Sequence, residues 1–493
     1  MFRKILIANR GEIAFRVIRA CKEMGIRSVA VFSEADRWAN YIAQADEAYP
    51  IGPAPSRDSY LRMDKILEVA RKSGAQAIHP GYGFLSENAA FSQACRKERI
   101  KFIGPSPDAM RALGNKIAAR RQAQKLKVPV VPGISGQVDE AQVLAFGKEH
   151  GFPILLKASG GGGGKGLRVV REPKDVARAL REAASEAQAA FGNSEVFVEK
   201  YIARPRHVEI QVLGDSRGRV IHLGERECSV QRRHQKLVEE SPSTAVDAAL
   251  REKMGATAVR IAKSVGYENA GTCEFLLDDA GKFYFLEVNS RLQVEHPVTE
   301  MVTGLDLVRT QIAVAAGEAL PLKQEDVVHR GHAIEVRVCA EDPFANFAPA
   351  TGEVSAVRFP HGPFTRVDSD LVRRTPITVY YDSLIAKIIT WGGTRLEAVD
   401  RMLRALRETK IVGVQTTIPF HLQLFQDRRF RAGKIHTKFV DEEFDFKDAK
   451  AQHHEEAAVL AAAIEFFRRE RMTPVYASPR PISAWKQAWR EDR

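Results

Sequence analysis

FPILLKASGGGGGKGLRVV, residues 152–170, decides how this chain is built. Its five consecutive glycines, Gly160–Gly164, are either a spacer or a backbone able to press against a ligand. A spacer would sit in polar, low-complexity sequence. Strand-like FPILLK and LRVV bracket this run instead, so it reads as the tip of a hairpin. A phosphate-binding Walker A loop fails twice, because Ser159 holds the first glycine position and Gly166 follows Lys165. Gly161, Gly163 and Gly166 match a dinucleotide fingerprint only in spacing, since a strand and not a helix follows. What remains is a glycine hairpin with Lys157 before it and Lys165 within it. Backbone N–H groups free of Cβ atoms can approach phosphate oxygens. The reading is a lid for a nucleoside triphosphate.

The segments around the lid give a multidomain α/β and α+β architecture. Residues 1–113 alternate strands (RKILIA, RSVAVF, AIHP, KFIG) with helices, one of which places Ile13, Val17, Ile18 and Cys21 at helical spacing. This predicts a Rossmann-like, mostly parallel sheet. HPGYGF, residues 79–84, follows a strand end, where such folds place ligands. Residues 114–203 form the linker and lid, with helical KDVARALREAASEAQAAF and strand VFVEKYI. Residues 204–328 are dominated by hairpins, residues 329–445 form a C-terminal domain, and 446–493 are a helical tail.

Composition bounds the function. The charge is +12, from 74 Lys+Arg against 62 Asp+Glu, yet no lysine–arginine block or basic aromatic stretch occurs. Nucleic acid is therefore excluded, and anionic small molecules are favoured. No apolar run approaches a membrane span. The amino-terminal apolar run is too short for a signal peptide and reads as a first strand. Five scattered cysteines with no CxxC pair fit a reduced, cytoplasmic setting.

Three stretches carry the chemistry. In TCEFLLDDAGKFYFLEVNSR, residues 272–291, a two-residue turn at Ala280–Gly281 would put Glu274 opposite Glu287. Asn289 shares the face of Glu287. Two carboxylates and an amide oxygen suit Mg²⁺ or Mn²⁺ bridging phosphates. NSRLQVEHPVTE crowds Arg291, Gln293, Glu295 and His296 into six residues, a plausible acid/base and anion site in which His296 only caps the next segment. In ERECSVQRRHQKLVEE, Gln231, His234 and Lys236 alternate as on a strand or an extended loop, pointing one way.

Together these pieces closely resemble the biotin carboxylases of the ATP-grasp superfamily. The motifs are IANRGEIA, HPGYGFLSEN, KASGGGGGKG, RHVEIQVLGD, QRRHQK, EVNSRLQVEHPVTE, RGHAIEVR and YYDSLIAKII, in order over residues 1–445. The resemblance implies ATP contacts at Lys116, Lys157, His207, Gln231 and His234, and a lid at Gly163 and Gly164. It places adenine at Glu199, Lys200, Tyr201 and Ile202. It makes Glu274, Glu287 and Asn289 ligands of the metal, two ions in all, and gives bicarbonate to Lys236, Arg291 and the Val294 backbone. Glu295 would be the base, and Arg337 with Tyr82 would meet biotin. Lys165 stands where arginine is usual, keeping the charge but losing the fork geometry.

The implied reaction is ATP-dependent carboxylation of biotin by bicarbonate through carboxyphosphate. No Met-Lys-Met biotinylation sequence occurs. Biotin is therefore expected on a separate carrier protein or a biotinylated carboxyltransferase subunit, with this chain a homodimeric stand-alone subunit of the acetyl-CoA or two-subunit pyruvate carboxylase type. The alternative is a carbamoyl-phosphate-forming ATP-grasp ligase. In the tail, Trp485 and Trp489 share a helical face that either docks the partner subunit or packs on its own body.

Overall fold

The computed structural model describes residues 1–114, 116–134, 136–158, 167–191, 195–447 and 459–467. The chain divides into two compact units, Met1–Phe444 and Asp445–Arg493. In the second, residues 459–467 are helical, with Val459, Leu460, Ile464, Phe466 and Phe467 exposed. Trp485 and Trp489 lie outside the described residues.

The first sheet follows from the alternating pattern. Strands β1 (Lys4–Ile7), β2 (Arg27–Ser33), β3 (Glu47–Gly52), β4 (Ala77–His79) and β5 (Lys101–Phe102) pair in parallel in the order β3-β2-β1-β4-β5. Ile5 and Ile7 enter one core and Leu6 another, so both faces are covered. That explains why these strands are apolar throughout. The helix Gly11–Glu23 packs Ile13, Val17, Ile18 and Cys21 onto one face. The chain order reverses between β1 and β4, a switch point at which such sheets open a crevice.

A second sheet is built from β6 (Gly133–Ile134), β7 (Ile154–Ala158), β8 (Leu167–Val170) and β9 (Val196–Lys200), in the order β6-β9-β7-β8. Strands β7 and β8 are antiparallel, with Lys157 opposite Leu167. The strands flanking the glycine run therefore pair as a hairpin requires. Gly163, Gly164 and Lys165 fall outside the described residues.

The third sheet has eight strands: β10 (Arg206–Gly214), β11 (Val220–Arg232), β12 (Gln235–Ser241), β13 (Asn269–Leu277), β14 (Phe283–Asn289), β15 (His332–Cys339), β16 (Thr365–Ser369) and β17 (Leu384–Gly392). Their order is β14-β13-β10-β11-β12-β15-β17-β16, with neighbours antiparallel. The bonds between β12 and β15 run across residues 328/329, where the sequence suggested a domain boundary. One face is apolar: Val208, Ile210, Val212, Cys273 and Phe275 pack in a core with Met254, Ala258 and Ile261 of the helix Ala248–Lys263. The period of two puts the intervening polar residues on the other face.

Two expectations about the hairpins are corrected. The β13–β14 turn is not Ala280–Gly281 alone. Asp278 pairs with Lys282 around a three-residue loop closed by Gly281 at φ 76°. That shifts the register by one, and a bulge between Glu274 and Phe275 shifts it back. Glu274 still faces Glu287, for a different reason from the one expected. In the β11–β12 hairpin, Arg233 and His234 both have positive φ (48° and 67°) and form the turn itself. His234 is thus at the tip, while Gln231 and Lys236 face each other across the strands.

Candidate functional site

The polar face of the eight-stranded sheet carries most of the residues singled out by sequence. Pairing aligns Glu287 and Asn289 on β14, Glu274 on β13 and Glu209 on β10. It continues with Arg226 on β11, then Glu239, Glu335, Arg337 and Lys387 from β12 to β17. A bulge at Leu237 brings Lys236 onto the face of Glu239, which strict alternation would forbid. The loop Ser290–Glu295 and the helix His296–Thr303 cover this face, and Thr299 accepts a 2.9 Å bond from Arg226.

Glu295 is the centre. It is 0% exposed. Lys236 Nζ lies 2.6 Å from its Oε1, and Arg337 donates to its Oε2 at 3.0 Å. Burial would raise this carboxyl, but Lys236, Arg337 and Arg226 outweigh burial and hold it well below the usual carboxylate range. Lys236 also bonds Glu209 at 2.8 Å and Glu274 at 3.3 Å. Burial works against its charge, and the surrounding acidic groups reverse that, raising its pKa well above the ordinary value.

The proposed metal ligands fit a hard cation. Glu274 Oε1 accepts from Asn289 Nδ2 at 2.7 Å, and its Oε2 lies 3.0 Å from His207 Nε2. Burial opposes the Glu274 charge, but Lys236 and His207 keep the group ionised. Glu287 stands half-buried opposite it. Arg291 is tied to Asn289 Oδ1 at 3.2 Å and to Gln293 at 3.0 Å. It also reaches Glu87 of the HPGYGFLSEN motif at 3.0 Å.

The first sheet supplies Tyr82. Asn9 Nδ2 donates to the carbonyls of Pro80 and Tyr82, both at 2.7 Å, fixing the loop after β4. Tyr82 Oη donates to Glu12, which lies 3.1 Å from Lys387 Nζ. The same ammonium donates to the Val294 carbonyl at 2.9 Å. Tyr82 and Val294 are thereby tied to Lys387, which stands opposite Arg337 where β15 pairs with β17.

Of the residues assigned to nucleotide, His207 lies on this face beside Glu274 and Gln231 on β11 opposite Lys236, while Lys157 and Glu199–Lys200 lie on the lid sheet and His234 at a turn. Lys157 Nζ is 2.5 Å from Glu199, which also accepts from Arg120. Glu199, expected beside adenine, is here the buried counter-ion of Lys157. Lys200 is exposed and Ile202 half-buried, and Tyr201 lies under the Lys438 ammonium. Lys116 opens the helix Lys116–Lys125, its side chain outside the described residues.

Sequence reading missed Glu209, Glu239, Glu335 and Lys387. Each is a charged strand residue with an apolar neighbour beside it (HVEIQVL, KLVEES, HAIEVRVC, LIAKII), fully buried at 0% exposure. A charge in such a run is expensive unless it serves a site, and that was the available signal.

A small sheet whose paired strands β7 and β8 bracket a glycine run in the sequence, together with an antiparallel sheet bearing a carboxylate-lined face, is the arrangement of an ATP-grasp enzyme. Residues 115–323 match the model for the carbamoyl-phosphate synthase L chain, ATP binding domain. Residues 1–110 and 335–442 match the N-terminal and C-terminal domains of biotin carboxylase. A pyruvate carboxylase subunit of Methanothermobacter thermautotrophicus is 54% identical over 444 residues, 90% of each chain. Biotin carboxylase of Nostoc is 53% identical over 90% of this chain and 99% of its own. The biotin carboxylase domain dimer of Hydrogenobacter thermophilus 2-oxoglutarate carboxylase, solved with MgADP, ADP and bicarbonate, superposes with TM-score 0.83 at 48% identity, covering 91% of this chain and 100% of that one. The chain belongs to the biotin carboxylase family.

Proposed function

We infer that the chain carboxylates biotin at the expense of ATP, with bicarbonate as the carbon source. The observation that carries this is Glu295, buried and gripped between Lys236 and Arg337. Bicarbonate is a poor nucleophile until deprotonated. Its negative charge competes with Glu295 for Lys236 and, at the loop, for Arg291. As those cations turn to the substrate, Glu295 loses the fields that depress its pKa and becomes a competent base. Lys236 and Arg291 then stabilise the charge on the attacking oxygen. Lys157 and His207 hold the phosphates, with Lys116, Gln231, His234 and residues 199–202 around the rest of the nucleotide. Glu274, Glu287 and Asn289 would hold Mg²⁺ or Mn²⁺, which supplies charge neutralisation at the transferring phosphoryl group. The carboxyphosphate formed must be shielded from water, the task assigned to the glycine lid. Arg337 and Tyr82 receive the biotin ureido group as charge develops on its oxygen.

The biotin arrives on a separate carrier protein or a biotinylated carboxyltransferase subunit, and the chain works as a homodimer in the cytoplasm. All five cysteines are unpaired and buried, which suits a reduced compartment. Among the described residues no helix is long and apolar enough to cross a membrane. Arg337→Ala is expected to keep bicarbonate-dependent ATP cleavage while losing carboxylation of free biotin. Retained carboxylation would refute the role of Arg337. The match of residues 115–323 to a carbamoyl-phosphate synthase domain favours a second reading, ammonia-dependent carbamoyl phosphate formation. ADP release stimulated by ammonia and indifferent to biotin would select it.

A further inference from the structure

Glu239 and Glu335 stand directly opposite each other where β12 pairs with β15. Both are 0% exposed. Glu239 uses one oxygen, Oε1, to accept from Arg337 Nε at 2.6 Å. Its Oε2 and both oxygens of Glu335 have no hydrogen-bond partner. Side chains directly across an antiparallel pair have Cβ atoms about 4.5–5.5 Å apart. Two carboxylates that close in a dry site cannot both ionise. The proton belongs on Glu335, because an ionised carboxylate without a partner is the costliest group to bury.

The neighbours bear on the same point. Lys387 and Arg337 face Glu335 from β17 and β15, and Glu239, Glu295 and Tyr82 face it with negative or polar groups. Lys236, Cys228 and Glu295 surround Glu239 from β12, β11 and the covering loop. Burial, only partly offset by Arg337, raises Glu239 to about 7 and pushes Glu335 well above the usual carboxylate range.

We propose that Glu239 and Glu335 form a singly protonated carboxyl pair that anchors Arg337 while it turns toward biotin. This rests on the reading of Arg337 as the group that meets the ureido oxygen. Arg337 has two tethers, Nε on Glu239 and a terminal nitrogen on Glu295. When Glu295 takes the proton of bicarbonate it loses its charge, and the second tether slackens. The first holds, so the guanidinium pivots about Nε and presents freed N–H groups to biotin. With the pair's proton on Glu335, Glu239 carries the single negative charge and keeps its hold on Arg337. Both are positioning residues and neither touches a reacting atom. A second proton, taken up in acid, would neutralise Glu239 and loosen the pivot.

The test uses the full-length chain in two assays: bicarbonate-dependent ATP cleavage without biotin, and carboxylation of free biotin as a function of pH. Glu335→Gln preserves a neutral hydrogen-bonding group, so carboxylation at neutral pH is expected within about twofold of wild type. Its acid limb is expected to stay at the wild-type pH, because the amide is as neutral as the protonated Glu335, whereas the alkaline limb that marks loss of the pair's proton disappears. Glu239→Gln is expected to keep ATP cleavage and the KM for ATP while kcat for biotin carboxylation falls about 10- to 100-fold, as for a lost supporting contact. An alkaline limb unchanged from wild type in Glu335→Gln would overturn the proposal, as would wild-type carboxylation in Glu239→Gln. If Arg337→Ala still carboxylates biotin, the reading of Arg337 fails instead, and the two failures are told apart.

Discussion

Lys387 shows how much a single buried charge organises here. It is 0% exposed, yet it meets Glu12 at 3.1 Å, Asp368 at 3.8 Å and the Val294 carbonyl at 2.9 Å. Removing it leaves the buried Glu12 without its cation, the costly way to break a buried pair, while Asp368 keeps Arg366 at 2.7 Å. Lys387→Met is expected to lower unfolding stability at neutral pH by about 3 kcal/mol. The loss should shrink below about pH 5, where Glu12, already raised by burial, can take a proton instead. Urea denaturation at pH 7.5 and 4.5 checks this; an equal loss at both would assign the effect to packing alone. The charge inside LIAKII marked Lys387 as a residue to explain, but not which site it serves, because its partners lie far away in sequence. Glu295, by contrast, stood out through the density of Arg291, Gln293 and His296 around it. Local crowding is visible in a sequence; a charge buried by distant strands is not.

At the level of elements, the β13–β14 hairpin was legible in pairing and illegible in mechanism. The alternation of Glu274, Glu287 and Asn289 marks a face, but turn length and bulge each shift the register by one, and only their sum is visible. The three-residue loop needs Gly281 in the left-handed region at φ 76°, with nothing within 4 Å of a Cβ built there. A side chain at that position therefore costs backbone strain and no collision. Gly281→Val is expected to cost about 1–2 kcal/mol, read as a lower melting temperature. The Mg²⁺ dependence of ATP cleavage should stay at the wild-type level, since the bulge still sets Glu274 against Glu287. A changed metal dependence would show that the loop itself fixes the register. The Leu237 bulge is the converse case. Period-two reasoning aimed Gln231, His234 and Lys236 one way, whereas the structure spends His234 on the turn and uses the bulge to aim Lys236. Bulges and tight turns are where a strict period fails, and here they set the direction of a residue proposed to bind bicarbonate.

Over the whole of Met1–Phe444, the parallel first sheet was readable from its alternating strands and helices. The single eight-stranded sheet was not, because β12 and β15 meet across some ninety intervening residues that carry no local pairing signal. The unit Met1–Phe444 buries many titratable groups, and their opposing shifts set the response to acid. Burial lowers His79 and His296 to about 3 and His421 to about 4. Between about pH 6.5 and 4 the unfolded chain binds protons that these native histidines refuse, so their contribution falls as pH falls. Burial raises Glu239 and Asp370 to about 7, and raises Glu12 and Glu335 as well. Over the same window the native state holds protons that the unfolded chain has released, so this contribution grows as pH falls. The two sets oppose each other. Below about pH 4.5 the balance breaks. Burial works against the charges of Glu240 and Glu300, but Arg395 and His332 outweigh it at the first, and His296, Arg366 and Arg16 at the second, leaving both at about 2. Their stabilisation is lost as pH falls toward 2, with nothing to offset it. The melting temperature is therefore expected to stay nearly level from about pH 6.5 to 4.5 and to drop steeply below pH 4. Glu300→Gln should lower the plateau and soften that drop, since it removes one of the carboxylates that must be protonated. A melting temperature that declines steadily from pH 6.5 would mean that the buried histidines outweigh the protonated carboxyls, and the proton on Glu335 would then be in question.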